Sequence, residues 1–272
     1  MSCESSVTDA DPNVDGQSFS CGVFSYSDSL FYINAFAENK IRPLQNLNGK
    51  FRAFPEGLML DSISGEIDIN RSETGLKYKI SFSPASSPLT VCEFELLIAG
   101  INYLDKVYVL NQNDFLAPPI FNANPSGLSP CDDDDDDDDD DDCKFDEVGP
   151  GNTKLSDLGI AIDSSTGIID LKKTVENKAF GETPVNGSTI EGKMYYRLQD
   201  NSLGALNGID LKLFYFNTLK DVPQSLLDEI EQKKTGVLGA KFFYNPINAR
   251  ISADNPRTKP RPPYLIIVAS LE

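Results

Sequence analysis

Hydrophobic and polar residues alternate with a period of two along several stretches of this chain. In GLKYKISF, residues 75–82, Tyr78 and Phe82 share one face, while lysine and serine side chains occupy the other. VCEFELLI (91–98) and GIDLKLFYF (208–216) follow the same pattern. Such alternation predicts antiparallel strands with one face in a core and one face in water.

One segment of the chain occurs twice. GLMLDSISGEIDI (57–69) and GIAIDSSTGIIDL (159–171) share six identical residues in register, at an offset of 102 residues. Each is predicted to form a β-hairpin whose turn begins at an aspartate, Asp61 or Asp163, and ends at a glycine with a left-handed backbone. Binding of Ca²⁺ by Asp61, Asp68, Asp163 and Asp170 is the alternative. Hydrogen bonds to the turn amides explain their placement without a metal.

The second copy of the pattern is longer than the first. GKMYYRL (192–198) is the counterpart of the strand at 75–82, and it follows an extra loop predicted at 172–190. DVPQSLLDEIEQKKTG carries capping and termination residues that predict a helix over 222–234, packed on a sheet edge or end. AKFFY (240–244) and PPYLIIVAS (262–270) are predicted strands.

Between the two halves lies an unusual acidic tract flanked by two cysteines. Its eleven carboxylates belong to Asp132, Asp133, Asp134, Asp135, Asp136, Asp137, Asp138, Asp139, Asp140, Asp141 and Asp142. Adjacent like charges repel and offer nothing to bury, so a solvated spacer is expected. The alternative function is weak, multivalent Ca²⁺ binding, because hard cations prefer carboxylate oxygens. No other cofactor is predicted.

The charge of the chain bears on its partners. There are 42 acidic and 24 basic residues, and without the tract the acidic count would be 31. A negative field disfavours nucleic acid as a partner. No apolar stretch is long enough for a transmembrane helix.

The histidine and cysteine content limits the kinds of catalytic and metal site that the chain could form. The chain has no histidine, so Ser-His and Cys-His nucleophiles and histidine zinc sites are excluded. Its five cysteines, Cys3, Cys21, Cys92, Cys131 and Cys143, form no CxxC pair. A bond between Cys131 and Cys143 would stabilise the fold by about 3 kcal/mol and would require an oxidising compartment. The sequence predicts no enzyme, and a carbohydrate-active enzyme is the enzymatic alternative.

The segment GKFRAFPEGLMLDSISGEIDINRSETGLKYKISFS (49–83) resembles the Ig-like and cadherin-like repeats of large bacterial surface proteins. It is most similar to those of gliding bacteria that export adhesins through the type IX pathway. The matching residues are Gly49, Phe51, Pro55, Gly57, Leu58, Asp61, Ser62, Ser64, Gly65, Ile67, Asp68, Gly75, Tyr78 and Ile80. Family members often pair an early cysteine with one in a late strand. Cys92 fits the late position, and the resemblance allows Cys21 as its partner.

Together these features predict an all-β fold of two tandem Ig-like β-sandwich domains, the second with a short helix. The expected limits are an N-terminal tail (1–16), a first domain (17–112), an acidic linker (113–152) and a second domain (153–272).

The resemblance implies a non-enzymatic structural or adhesive protein of a bacterial cell surface. Its expected partners are other protein subunits or surface glycans. The first residues, MSCESSVTDADPN, lack the basic start and apolar core of a signal peptide. Two interpretations therefore stay open, a mature fragment of an exported protein or a phage virion component such as a head fibre or decoration protein.

Overall fold

The structure is a computed structural model that describes residues 19–131, 143–237 and 261–272. These residues form two β-units that follow one another along the chain. The predicted all-β architecture is confirmed.

The first unit is a small sandwich built from six strands. They are β1 (Leu30–Phe31), β2 (Lys40–Ile41), β3 (Gly49–Phe54), β4 (Ile67–Asp68), β5 (Leu76–Pro84) and β6 (Cys92–Ile98). One sheet has the order β1-β6-β5-β3, and β2 pairs with β4 in a second sheet. Strand β1 is parallel to β6, whereas β5 is antiparallel to both β3 and β6.

The alternating residues of β5 form the centre of the first core, as their pattern predicts. Tyr78, Ile80 and Phe82 are fully buried. The ring of Phe51 lies 4.6 Å from that of Phe82, centroid to centroid. Burial of such side chains contributes roughly 1.5–3 kcal/mol each to stability. The opposite face of β5 carries Lys77 and Lys79, which lie in ion pairs with β6.

The second unit is larger and contains the α-helices. Its strands are β7 (Ile101–Tyr103), β8 (Lys106–Val109), β9 (Leu116–Ala117), β10 (Pro119–Phe121), β11 (Lys144–Glu147), β12 (Ala161–Ile162), β13 (Ile169–Asp170), β14 (Ser188–Arg197), β15 (Asn207–Thr218) and β16 (Tyr264–Ser270). The main sheet has the order β11-β14-β15-β16-β8. Strands β12, β13 and β9 form a three-stranded sheet, and β10 pairs with β7. Short 3₁₀ helices occupy Cys21–Val23, Ile69–Arg71, Leu110–Gln112, Leu155–Leu158 and Leu219–Asp221.

The two α-helices are α1 (Leu171–Glu176) and α2 (Gln224–Val237). Helix α2 confirms the helix predicted at 222–234. It covers the face of the main sheet, because Leu226 and Ile230 join a core with Phe216, Ile266 and Val268. The expected position on a sheet edge or end is therefore wrong. None of the described helices is long and apolar enough to cross a membrane.

Strand β16 lies inside the main sheet, with β15 on one side and β8 on the other. Both pairings are parallel. Since β15 leads through α2 into β16, these elements form a βαβ crossover, the usual connection between parallel strands. The apolar run YLIIVAS predicted β16 as a strand but could not assign its neighbours.

The predicted domain limits need correction around the acidic tract. Ile101, Tyr108 and Phe121 precede the tract, and Cys143 and Phe145 follow it, yet all five belong to one core. The boundary at residue 112 is therefore too late, and both flanks of the tract belong to the second unit. The reason is the long-range pairing of β8 with β16, which no local pattern encodes.

Two further predictions differ from the structure or lie beyond it. The extra loop expected at 172–190 begins with α1, whose six residues were too short a stretch to show helical periodicity. The predicted strand AKFFY (240–244) lies outside the described residues, as do the tail 1–16 and the aspartates 132–142.

Candidate functional site

The repeated motif forms the same turn in both units. The Oδ1 atom of Asp61 accepts hydrogen bonds from the amides of Ile63 (3.0 Å) and Ser64 (2.7 Å). In the second unit, Asp163 accepts from the amides two and three residues later at 3.0 and 2.8 Å. The glycine that ends each turn has φ of 71°. The predicted Asx turns are confirmed.

These hydrogen bonds set the electrostatics of the turns. Backbone amides lower the pKa of Asp61, chiefly those of Ser64 and Ile63, and they do the same for Asp163. The carboxylate charge is thus already satisfied by fixed dipoles. The hydrogen bonds explain the placement of both aspartates in the turns, and Ca²⁺ binding by them stays a prediction.

Each turn is tied to its core by a tyrosine that the sequence comparison missed. The hydroxyl of Tyr26 donates to the carbonyl oxygen of Gly65 at 2.8 Å, and Tyr103 donates to that of Gly167 at 2.5 Å. These tyrosines do not share the offset of 102, because the two units have loops of different length before the turn. Only the fold aligns them.

A hydroxyl after each hairpin extends the repeat. Ser72 Oγ donates to the carbonyl of Asp68, and Thr174 Oγ1 donates to that of Asp170, both at 2.7 Å. Ser72 and Thr174 also lie 102 residues apart. The match could have been found by allowing serine and threonine as equivalents.

The two units meet in a hydrogen-bonded junction. Thr74 Oγ1 lies 3.1 Å from Tyr196 Oη and donates to Asn207 Oδ1 at 3.0 Å. Because the one hydroxyl proton of Thr74 goes to Asn207, Tyr196 must donate its own proton to Thr74. Tyr196 Oη in turn accepts from the amide of Ile101 at 3.1 Å.

The junction is close-packed as well as bonded. Gly100 has φ of 150°, and a Cβ there would lie 2.8 Å from Thr74 and from Tyr196 Oη. Burial raises the pKa of Tyr196 to about 12, although the hydrogen bond that its oxygen accepts from the amide of Ile101 acts in the opposite direction. Tyr196 therefore stays protonated and able to donate at physiological pH.

A tyrosine of the first unit lies within electrostatic range of an aspartate of the second unit. Burial raises the pKa of Tyr32 in the first unit, and the negative charges of Asp200 in the second unit and of Asp28 raise it further.

The cysteines that flank the acidic tract lie at this end of the second unit. Cys131 and Cys143 form a disulfide with Cα atoms 5.5 Å apart. Cys143 is buried and precedes Lys144, which pairs with Arg197 next to the junction residue Tyr196. The two cysteines that flank the tract therefore lie near the junction.

A second disulfide joins Cys21 to Cys92 in the first unit, with Cα atoms 5.1 Å apart. This pairing was one option under the family resemblance. Of the five cysteines, only Cys3 lies outside the described residues. Each unit thus contains one covalent crosslink.

Other acidic residues do not converge on a site. Glu93 and Glu95 on β6 lie in cross-strand ion pairs with Lys79 and Lys77. Within residues 19–131, 143–237 and 261–272, no three His, Cys, Asp or Glu side chains form a group that could hold a metal. Metal binding by Asp132–Asp142 remains a prediction.

Comparison with known proteins gives no family assignment. No protein-family model matches the chain, and no curated protein sequence matches it.

Three solved structures illustrate the resemblances found. A SusE-like surface-located polysaccharide-binding protein from Bacteroides thetaiotaomicron has 16% identity and a TM-score of 0.23 over 71% of this chain and 33% of its own. The human desmocollin-1 ectodomain has 11% identity and a TM-score of 0.21 over 70% of this chain and 38% of its own. Mouse clustered protocadherin EC1–3 has 11% identity and a TM-score of 0.19 over 70% of this chain and 66% of its own.

This chain spans less than two thirds of the length of each of these proteins. Scores of this size carry no argument about ligand or activity. The description of the fold rests on the strand pairing above.

Proposed function

We propose that this chain is a non-enzymatic structural or adhesive module of a bacterial cell surface. The observation that carries the proposal is the disulfide in each unit, Cys21–Cys92 and Cys131–Cys143. Such bonds form and persist in oxidising environments outside the cytosol. The lack of histidine throughout the chain agrees with a role that needs no acid–base catalysis.

The junction suits a protein that spaces or presents a surface. Thr74, Tyr196 and Asn207 join the units by hydrogen bonds, and Gly100 allows close packing of the backbone at the junction. Two β-units held in this way supply a fixed spacing and exposed loops.

The first unit carries the candidate contact surface. Leu44, Ile63 and Leu89 lie on three loops there and are 61%, 76% and 99% exposed. The partners proposed for this surface are other protein subunits or surface glycans. Weak attraction of Ca²⁺ to Asp132–Asp142 is part of the same proposal.

The proposal is tested by locating the native protein in the cell that makes it. Antibody labelling of intact cells, together with mass spectrometry of unreduced protein, should show surface exposure and both disulfides. Reduced cysteines in protein that co-purifies with phage particles would overturn the proposal in favour of a virion component.

The contact surface is tested separately with purified protein. Beads coated with the parent should bind arrays of polysaccharides or surface proteins better than beads coated with a Leu44→Ser, Ile63→Ser, Leu89→Ser variant. Exposed Leu128 lies on another loop, so Leu128→Ser is the matched control. Equal binding by all three proteins would exclude this surface.

A further inference from the structure

We propose that β16 is an exchangeable strand, and that copies of this chain join when β16 of one copy fills the slot between β8 and β15 of another. This inference concerns assembly of the chain with itself. It holds or fails independently of what the proposed contact surface binds.

The first unit shows that such a fold can close without the extra strand. There, β1 pairs directly with β6, in parallel. In the second unit, the corresponding parallel pairing is interrupted, because β16 separates β8 from β15. Neighbouring strands lie about 4.8 Å apart, so the slot is one strand wide.

The slot between β8 and β15 needs β16, because the side chains of this strand complete two hydrophobic cores. Leu265 and Ile267 enter the main core, whereas Ile266 and Val268 enter the core beneath α2, and all four are 0% exposed. An empty slot would expose two apolar layers and two unpaired strand edges. Such edges pair readily with a strand from another chain.

Residues at the entrance of the slot recognise the segment just before the strand. Asp105 is 5% exposed, forms an ion pair with Arg261 at 2.8 Å and accepts from the amide of Tyr264 at 2.9 Å. The Arg261 guanidinium also lies 3.6 Å from the centre of the Tyr264 ring. These contacts hold β16 in register, and they are the same whether Arg261 comes from the same chain or from another.

The connection to β16 is long enough for exchange. Helix α2 ends at Val237 and β16 begins at Tyr264. An extended chain reaches about 3.3 Å per residue, so this connection could span up to about 80 Å. Exchange of an identical element between copies needs no new contact surface. A reciprocal exchange gives a closed dimer, and a one-way exchange gives an open chain.

The test uses full-length chains with single cysteines placed at one register pair. Thr218 on β15 is the neighbour of Ser270 on β16, and both are half-buried. Parallel neighbours lie within the Cα separation that a disulfide needs. One chain carries Thr218→Cys and the other Ser270→Cys, both in a Cys3→Ser background. The chains are mixed, partly unfolded, refolded at high concentration and oxidised mildly.

The expected result is a crosslinked pair of chains, with a dimer or larger species that grows with concentration in light scattering. Lys50→Cys and Ser83→Cys, a register pair on β3 and β5, are the matched control and should give no crosslink between chains. In the double variant Thr218→Cys, Ser270→Cys, a disulfide within one chain reports a β16 that has stayed in its own slot. A disulfide between two chains reports exchange. Crosslinking of that variant only within monomers, or no crosslink at all, would overturn the proposal.

Discussion

Thr74 and Tyr196 lie 122 residues apart in the chain, and their hydroxyl oxygens are 3.1 Å apart across the junction of the two units. The phenol proton of Tyr196 holds this contact, while its oxygen satisfies the buried amide of Ile101. A single side chain therefore stabilises both the second core and its attachment to the first unit.

Tyr196→Phe is expected to lower the free energy of unfolding by about 1–3 kcal/mol, because the amide of Ile101 loses its buried acceptor. Denaturant unfolding measures the loss, and small-angle scattering should show a wider range of angles between the units. Tyr195→Phe removes a hydroxyl from the preceding residue, which is half-buried. This substitution should change stability by less than about 0.5 kcal/mol. Equal effects of the two substitutions would contradict the role given to Tyr196.

Gly100→Ala is expected to disrupt the junction, because the added methyl group would meet Thr74 and Tyr196. Gly204→Ala is the control, since its φ is also positive, at 66°, but nothing lies within 4 Å of the added carbon. Protease sensitivity at the junction should rise only for Gly100→Ala. Equal protease sensitivity of the two variants would show that the positive φ of the glycine, and not packing at the junction, causes the effect.

Stability should fall in acid through the two turn aspartates. The pKa values of Asp61 and Asp163 lie below 3.8 in the folded protein, chiefly because backbone amides bind the carboxylates. Their stabilising contribution is therefore complete above the unfolded pKa and is lost as the pH falls through the folded one. The double variant Asp61→Asn, Asp163→Asn should show a shallower loss of stability below pH about 4 in urea unfolding. Glu176→Gln, an exposed change at the end of α1, should keep the slope of the parent.

The two disulfides should stabilise their units to different extents. Cys21–Cys92 spans 71 residues and Cys131–Cys143 spans 12, so the chain-entropy model assigns about 4 and about 3 kcal/mol. Replacing each pair with serines, followed by calorimetric melting, measures both values. Reduction of the parent should reproduce the combined loss. A larger loss for the shorter loop would show that native packing, rather than loop closure, dominates.

Replacing Asp132–Asp142 with a Gly/Ser segment should leave both units folded with nearly unchanged melting, provided that Cys131 and Cys143 are kept. Calorimetric titration of the parent should show weak Ca²⁺ binding that physiological salt suppresses, because the Debye length is then only about 8 Å. The variant with the Gly/Ser segment should show no Ca²⁺ binding. Tight, stoichiometric and salt-resistant binding that disappears with the tract would contradict the spacer interpretation.

Local features were the most predictable from the sequence. The turns at Asp61 and Asp163 form from contacts within three residues, so the residue types sufficed to predict them. Helix α2 carries its own capping and spacing pattern. In both cases the interactions that decide the structure are close in the sequence.

Long-range partners were beyond the reach of the same reasoning. The apolar run YLIIVAS predicted a strand, but its place between β8 and β15 depends on residues up to 159 positions away, such as Asp105 bonded to Tyr264. The junction was missed because Thr74, Tyr196 and Asn207 are ordinary polar residues of strands and strand ends. The placement of Cys131 and Cys143 in one core reversed the interpretation of the tract as a link between domains.

The position of β16 also determines how the second unit bears tension. Strand β15 starts at the junction with Asn207, and β16 runs parallel to it, so Ser270 lies at the opposite end of the sheet. A pull on Ser270 away from the first unit acts along the strand, against the hydrogen bonds to β8 and β15 simultaneously. These bonds must shear together and cannot peel apart one after another. The second unit should therefore resist stretching far better than its thermal stability alone would suggest.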